Sequence, residues 1–254
     1  MHRKKEMISM TTMAIKTENL TKRYGEKVAV DGLSFEVADG ETVSLLGVNG
    51  AGKTTTIKML SCLTPVTSGE AYMKGYDVRK ESFEVKKIIN VSPQETAVAK
   101  KLSVRENLGL ISEIYGKKSD EAKKCVSNMI NALGLNEVAD KKAGILSGGY
   151  QRKVSIAMAL ITEPEILFLD EPTLGLDVIA RRELWNFISS LKGKITIVLT
   201  THYLEEAENL SDKVAVMSGG RLVAFESPEK IKQIANADNF EEAFIRLSTQ
   251  VEIK

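Results

Sequence analysis

Cysteine is nearly missing from this sequence. Only Cys62 and Cys125 occur, far apart and in no metal-ligand spacing, so a disulfide-stapled scaffold and a zinc ribbon are excluded. The pair reads as two reduced thiols of a cytosolic protein. Charge of one sign is lacking too: 35 basic against 34 acidic residues leave a net charge of +1. The field of the whole chain therefore favours neither nucleic acid nor an anionic membrane. Long apolar runs are absent. Ile166-Leu167-Phe168-Leu169 and Ile195 to Leu199 are strand-sized, far short of the roughly 20 residues a helix needs to cross a bilayer. Met1 to Met13, with His2-Arg3-Lys4-Lys5, has no apolar stretch of the kind a secretory signal needs. It reads as a disordered lead-in, with Met1, Met7, Met10 and Met13 as alternative starts. No domain-sized repeat or low-complexity linker interrupts the chain.

What is there is 254 residues, 43% hydrophobic and 27% charged, enough for a large core in one domain or in one domain with an inserted lobe. Three parts follow one another. Ala14 to Gln94 begins with β-type segments at Ala14 to Thr17, Leu33 to Val37 and Thr42 to Leu46, broken by Gly25, Gly32 and Gly40. A helix is expected from Lys53, carrying Ile57, Met59, Leu60 and Leu63, with Pro65 just past its end. A strand is expected at Ile88 to Val91. Glu95 to Glu163 reads as helical throughout. Ser103 and Glu106 form a capping box ahead of Val104, Leu108, Ile111 and Tyr115. A second helix starts at Ser119-Asp120 and carries Ala122, Val126, Met129, Ile130 and Leu133; a third follows Ser147 with Tyr150, Val154, Met158 and Ile161. Alternation then returns: a buried strand at Ile166 to Leu169, a helix from Asp177 to Leu191, a strand at Ile195 to Leu199, a helix from Leu204 to Leu210. A hairpin turned at Gly219-Gly220 follows, and two short helices lie beyond Pro228. Alternation of strands and helices implies an α/β fold with a largely parallel sheet, and the helical middle is an insertion in it.

Chemistry concentrates at the strand ends. Gly47-Val48-Asn49-Gly50-Ala51-Gly52-Lys53-Thr54 matches G-x-x-x-x-G-K-[ST] between a strand and a helix. Glycines let backbone N–H groups close around phosphate oxygens, and the helix N-terminus adds a positive field. Lys53 reaches the β- and γ-phosphates, and the Thr54 hydroxyl suits Mg²⁺. A chance glycine-rich turn is a poor rival between those flanks. Asp170 and Glu171 end the buried strand at Ile166 to Leu169, where ligands of open α/β sheets bind. Asp170 is expected to meet the metal held by Thr54, and Glu171 to polarise a water. Two solvated loop acids would be the bland alternative. Leu146-Ser147-Gly148-Gly149-Tyr150-Gln151 opens a helix and is a second anion-receptive start, or merely an N-cap with a flexible turn. Alone, Gln94 and His202 carry no signal.

Together these segments resemble the ATP-binding cassette (ABC) transporter family from about Ala14 to Pro228, with every motif in the family's order. The resemblance implies a RecA-like P-loop NTPase core over 14–94 and 164–228, a small antiparallel β-subdomain, an inserted α-helical subdomain over 95–163 and a short helical tail over 229–254. It implies that Tyr24 stacks on adenine and that Gly47 to Thr54, with Thr55, is the Walker A segment. Gln94 is then the Q-loop, counted with Lys53, Glu171 and His202 as catalytic and with Thr54 and Asp170 as metal-binding. Ser147, Gly148 and Gly149 belong to the signature, Asp177 to the D-loop, and His202 is the switch histidine. ATP and Mg²⁺ are the implied ligands. The implied partners are a second ATP-binding subunit, identical or not, docked head to tail, and a separate transmembrane permease at the cytoplasmic face of the membrane. Val48 and Tyr150 depart from the commoner residues at positions whose side chains supply no chemistry. Gly175-Leu176-Asp177 and Thr201-His202-Tyr203-Leu204-Glu205-Glu206-Ala207-Glu208 look like the ABC-2 exporter branch, which includes drug efflux systems. Rival readings are another importer or exporter branch, or a soluble cassette ATPase in cluster assembly or repair. A purely regulatory module is disfavoured by intact Glu171 and His202.

Overall fold

The computed structural model describes residues 13–249. Met13 opens the first strand; the rest of the expected lead-in, Met1 to Thr12, and residues 250–254 lie outside the described residues. In chain order come β1 (Met13–Tyr24), β2 (Lys27–Ala38), β3 (Thr42–Leu46), α1 (Lys53–Leu60), β4 (Ser68–Met73), β5 (Tyr76–Asp77), α2 (Ser82–Ile88) and β6 (Ile89–Ser92). The helical stretch holds α3 (Val104–Ile114), α4 (Ser119–Ala132) and α5 (Gly148–Leu160). Then follow β7 (Ile166–Asp170), α6 (Val178–Ser190), β8 (Thr196–Thr201), α7 (Leu204–Leu210), β9 (Lys213–Ser218), β10 (Arg221–Glu226), α8 (Pro228–Ile234) and α9 (Phe240–Thr249).

The strands make two sheets. An antiparallel one runs β2-β1-β4-β5; a six-stranded one runs β10-β9-β3-β8-β7-β6, parallel except for β10. Strands of the parallel sheet are buried on both faces, which is why they read as unbroken apolar runs. In β7 and β8, Ile166, Phe168 and Val198 pack toward α1 and the antiparallel sheet. Leu167, Leu169, Ile197 and Leu199 pack the other way, against Leu184, Trp185 and Ile188 of α6. A separate cluster joins α3, α4 and α5. α8 and α9 lay Ile231, Phe240, Ala243 and Leu247 on Leu46, Val214 and Val216. α5 serves two clusters: Val154, Ala157 and Ile161 face the helices, Ile156, Ala159 and Leu160 the sheet.

Four local expectations differ. Ile88 ends α2 and the strand begins at Ile89. α1 stops at Leu60, because Cys62 takes a left-handed φ of 56° and the N–H groups of Leu63 and Thr64 both turn back to Lys58 O; Leu63 is left 64% exposed. The region 95–163 is not helical throughout: only short 3₁₀ turns, Asn136–Val138 and Ala143–Ile145, lie between α4 and α5, and residues 95–102 are irregular. Gly32 stays inside β2, and the β1–β2 turn falls at Gly25. The capping box at Ser103 and Glu106 forms, with reciprocal bonds of 3.1 and 2.7 Å.

Candidate active site

Strand parity decides which side chains meet. Side chains alternate along β7, so Asp170 falls on the side of Ile166 and Phe168, where α1 starts. Thr54 Oγ1 donates to Asp170 Oδ1 at 3.0 Å, and Thr200 Oγ1, from the end of β8, donates to the same oxygen at 2.5 Å. Two hydroxyls thus orient a buried carboxylate.

The loop from Gly47 to Gly52 passes where nothing but glycine fits at two points. A Cβ on Gly47 would stand 2.4 Å from Met217 O, and one on Gly52, at φ +99°, would stand 2.6 Å from Ala29 O. Both obstacles are backbone, so neither can give way. Lys53 folds back over the loop: its Nζ donates to Gly47 O at 2.6 Å and Val48 O at 3.3 Å, and lies 3.6 Å from Glu171 Oε1. Val48 itself points to solvent.

Glu171 turns away from Asp170 because its backbone is left-handed, at φ 50°. The Thr200 hydroxyl accepts its N–H at 2.9 Å and holds the turn. Its carboxylate, nearly buried, then reaches sideways: Oε2 lies 2.8 Å from His202 Nδ1. The His202 and Tyr203 rings are in tilted contact, with centroids 4.2 Å apart and planes at 39°.

Of these groups, Lys53, Thr54, Glu171 and His202 line one cavity of about 610 Å³, while Gly47, Val48 and Asp170 are not on its surface. The loop from Asn49 to Thr55 forms one wall; Tyr24, Gln94, Glu171 and His202 are the other sequence-derived residues along it. Tyr24 is half-exposed at the end of β1, with Lys22 Nζ 4.8 Å from its ring centre. Ser147, Gly148, Gly149 and Asp177 are not there. They line a second cavity of about 530 Å³ together with Tyr150, Lys153 and Leu176. Ser147 caps α5 loosely, at 3.5 Å, while Asp177 Oδ1 accepts the Ile179 and Ala180 N–H groups at 2.9 Å and so caps α6.

Sequence reasoning passed over several residues. Arg152, buried on α5, donates to Pro93 O at 2.7 Å and Gln94 O at 2.6 Å, tying the exit of β6 to α5. Burial pushes its pKa down, and Asp170, Glu171 and Glu206 pull it back up. In the sequence it is one polar residue of a polar first turn. Thr200 had a faint signal, as a hydroxyl at the end of an apolar strand. Lys27 and Leu174 also line the first cavity and had none.

Residues 30–174 match the ABC transporter family. The chain is similar to the daunorubicin resistance ATP-binding protein DrrA2 of Streptomyces coeruleorubidus, 37% identical over 233 residues, 91% of this chain and 72% of the relative. It is also similar to the Nod factor export ATP-binding protein I of Burkholderia orbicola, 41% identical over 224 residues, 87% and 73% of the two chains. A solved dimeric ATP-binding cassette in a post-hydrolysis state, bound to ADP and Pi, superimposes with a TM-score of 0.76 at 27% identity, covering 84% of this chain and 98% of that one.

Proposed function

The chain belongs to the ABC transporter family, as an ATP-binding and ATP-hydrolysing subunit of its ABC-2, drug-efflux-like exporter branch, and from that premise we propose how its residues divide the work. The observation that carries the reading is the split of the functional residues between two cavities. The first holds Lys53, Glu171 and His202; the second holds Ser147, Gly149 and Asp177. Each cavity is half of a site, and a second cassette docked head to tail completes both.

Lys53 and the loop N–H groups bind the β- and γ-phosphates, which compete with Glu171 for the lysine. Tyr24 packs against the base. Glu171 accepts a proton from the water that attacks the γ-phosphorus, and the bond to the β–γ bridging oxygen breaks. His202 Nδ1 keeps the Glu171 carboxylate aimed. The partner's signature helix would present its first-turn N–H groups to the γ-phosphate, and loss of that phosphate releases the dimer. Gln94, held at its carbonyl by Arg152, links the site to the helical region.

Thr54 and Asp170 are a hard-oxygen pair already in contact, which fits Mg²⁺ bound through one carboxylate, a hydroxyl, phosphates and water, and Gln94 lines the same cavity as Thr54. The ion would neutralise phosphate charge as it develops.

The proposed unit is a single ABC ATPase domain over 14–228, its RecA-like core at 14–94 and 164–228 and its helical subdomain at 95–163, followed by the tail. Among the described residues no helix is long and apolar enough to cross a membrane. In this reading a separate transmembrane permease carries the exported molecule and selects it, and the chain docks on it at the cytoplasmic face as one of two cassettes. The roles of the two relatives named above, daunorubicin resistance and Nod factor export, suit this reading.

Glu171→Gln tests the division of labour. Phosphate release should fall by about 10²-fold or more, the scale of general-base catalysis, while ATP still binds and light scattering reports an ATP-dependent dimer. Normal turnover in that variant would remove Glu171 from the mechanism.

A further inference from the structure

The polar interior does not end at Glu171 and His202. Behind them, on α7, Glu206 is wholly buried, 0% exposed. Its Oε1 accepts from Trp185 Nε1 at 3.0 Å. The hydroxyls of Thr201 and Thr173 face the same carboxyl group. Glu206 Oε2 and Thr173 Oγ1 are both buried with no other well-formed partner. Burial pushes the Glu206 pKa up, and the hydrogen bonds from Thr201, Thr173 and Trp185 oppose that shift. Burial favours the neutral form, in which one oxygen still accepts from Trp185 Nε1 while the other can share a hydrogen bond with the Thr173 hydroxyl, itself able to donate or accept.

The three segments that meet on this group are the ones that carry the reaction. Thr173 lies two residues after Glu171. Thr201 immediately precedes His202. Trp185 is on α6, the helix capped by Asp177. Arg181 ties the outside of the same cluster, with its guanidinium carbon 5.7 Å from the Trp185 ring centre and 5.5 Å from that of Tyr203. Arg152 and Glu171 act on Glu206 through charge.

We propose that Glu206 is a positioning residue for ATP hydrolysis: its buried carboxyl pins the Thr173 turn, the Thr201–His202 strand end and α6 to one another, and so holds Glu171 and His202 in register. This rests on the roles given to those two residues above. Glu206 is fully buried and lines neither cavity, so its loss should act on turnover and spare ATP binding. Gln is the informative replacement, because its amide accepts on one side and donates on the other as the neutral acid does.

The test is phosphate release by the full chain at saturating Mg–ATP, with ATP affinity measured alongside. Glu206→Ala should lower kcat at least about tenfold with affinity within about twofold, whereas Glu206→Gln should stay within about threefold of the parent kcat. Trp185→Phe keeps the ring but loses the donor; it should lower kcat severalfold, and it decides the matter if Glu206→Ala does not fold. A folded Glu206→Ala chain with parental kcat overturns the proposal. So does a Gln variant as slow as the Ala variant, or a parallel loss of kcat and ATP affinity. Glu171→Gln is the control. If it hydrolyses ATP normally, the underlying assignment has failed; if it is inactive while Glu206→Ala is normal, only the role of Glu206 has.

Discussion

At Glu171 a single backbone dihedral separates two adjacent acids. A left-handed non-glycine residue costs on the order of 1–3 kcal/mol, and the N–H bond to Thr200 Oγ1 helps hold it there. The gain is direction: Asp170 faces Thr54 and Glu171 faces His202. Tyr24 lines the cavity, half-exposed, with Lys22 Nζ over its ring. Tyr24→Ala should weaken ATP by about 1–3 kcal/mol, the worth of one stacked base, as read by calorimetry; unchanged affinity would make the residue mere surface. Glu206 gives a pH signature. Its pKa is raised in the folded chain, so the stability it contributes is complete below the ordinary carboxylate range, about pH 4.3, and is lost as pH climbs toward the folded value. Glu206→Gln does not titrate. Denaturation midpoints of the parent should therefore fall relative to Glu206→Gln as pH rises from acid to neutral; parallel curves would mean an unshifted carboxyl.

Elements show where periodicity informs and where it misleads. β7 is a run of five buried residues because both of its faces are covered, and its alternation sorts them between two cores. Phe168→Ala should cost about 3–5 kcal/mol in urea denaturation, the range for emptying a buried aromatic site. A smaller loss would mean that the layer between α1 and the sheet collapses easily. α5 is covered on two sides as well, so helicity alone does not assign it to one layer. α5 is for that reason a mechanical link: Arg152 near its start grips the exit of β6, and its far end lies on the sheet.

For the whole molecule, the decisive feature is the separation of the two cavities. If each is half of a composite site, two inactive variants should complement each other. Lys53→Ala destroys the first half and Ser147→Arg the second. A mixture then contains dimers with one site built wholly from undamaged halves. Phosphate release should reappear on mixing although neither variant shows it alone. A mixture as inactive as its components would place the whole reaction within one chain.

The sequence by itself determined what depends on neighbours along the chain. A strand, a glycine-rich turn and a helix start are local, so the loop from Gly47 to Thr54, the capping box at Ser103 and the acids at the end of β7 were legible as patterns. The limits of α1 and β6 were less so, since Cys62 and Ile88 take conformations set by packing. Only the tertiary structure decided which patterns share a cavity. Thr54 and Asp170 are 116 residues apart and meet because β3 and β7 both flank β8 in one parallel sheet. Arg152, Thr200 and Glu206 acquire their partners the same way. A buried polar group is defined by what surrounds it, and those surroundings come from segments that are distant in sequence.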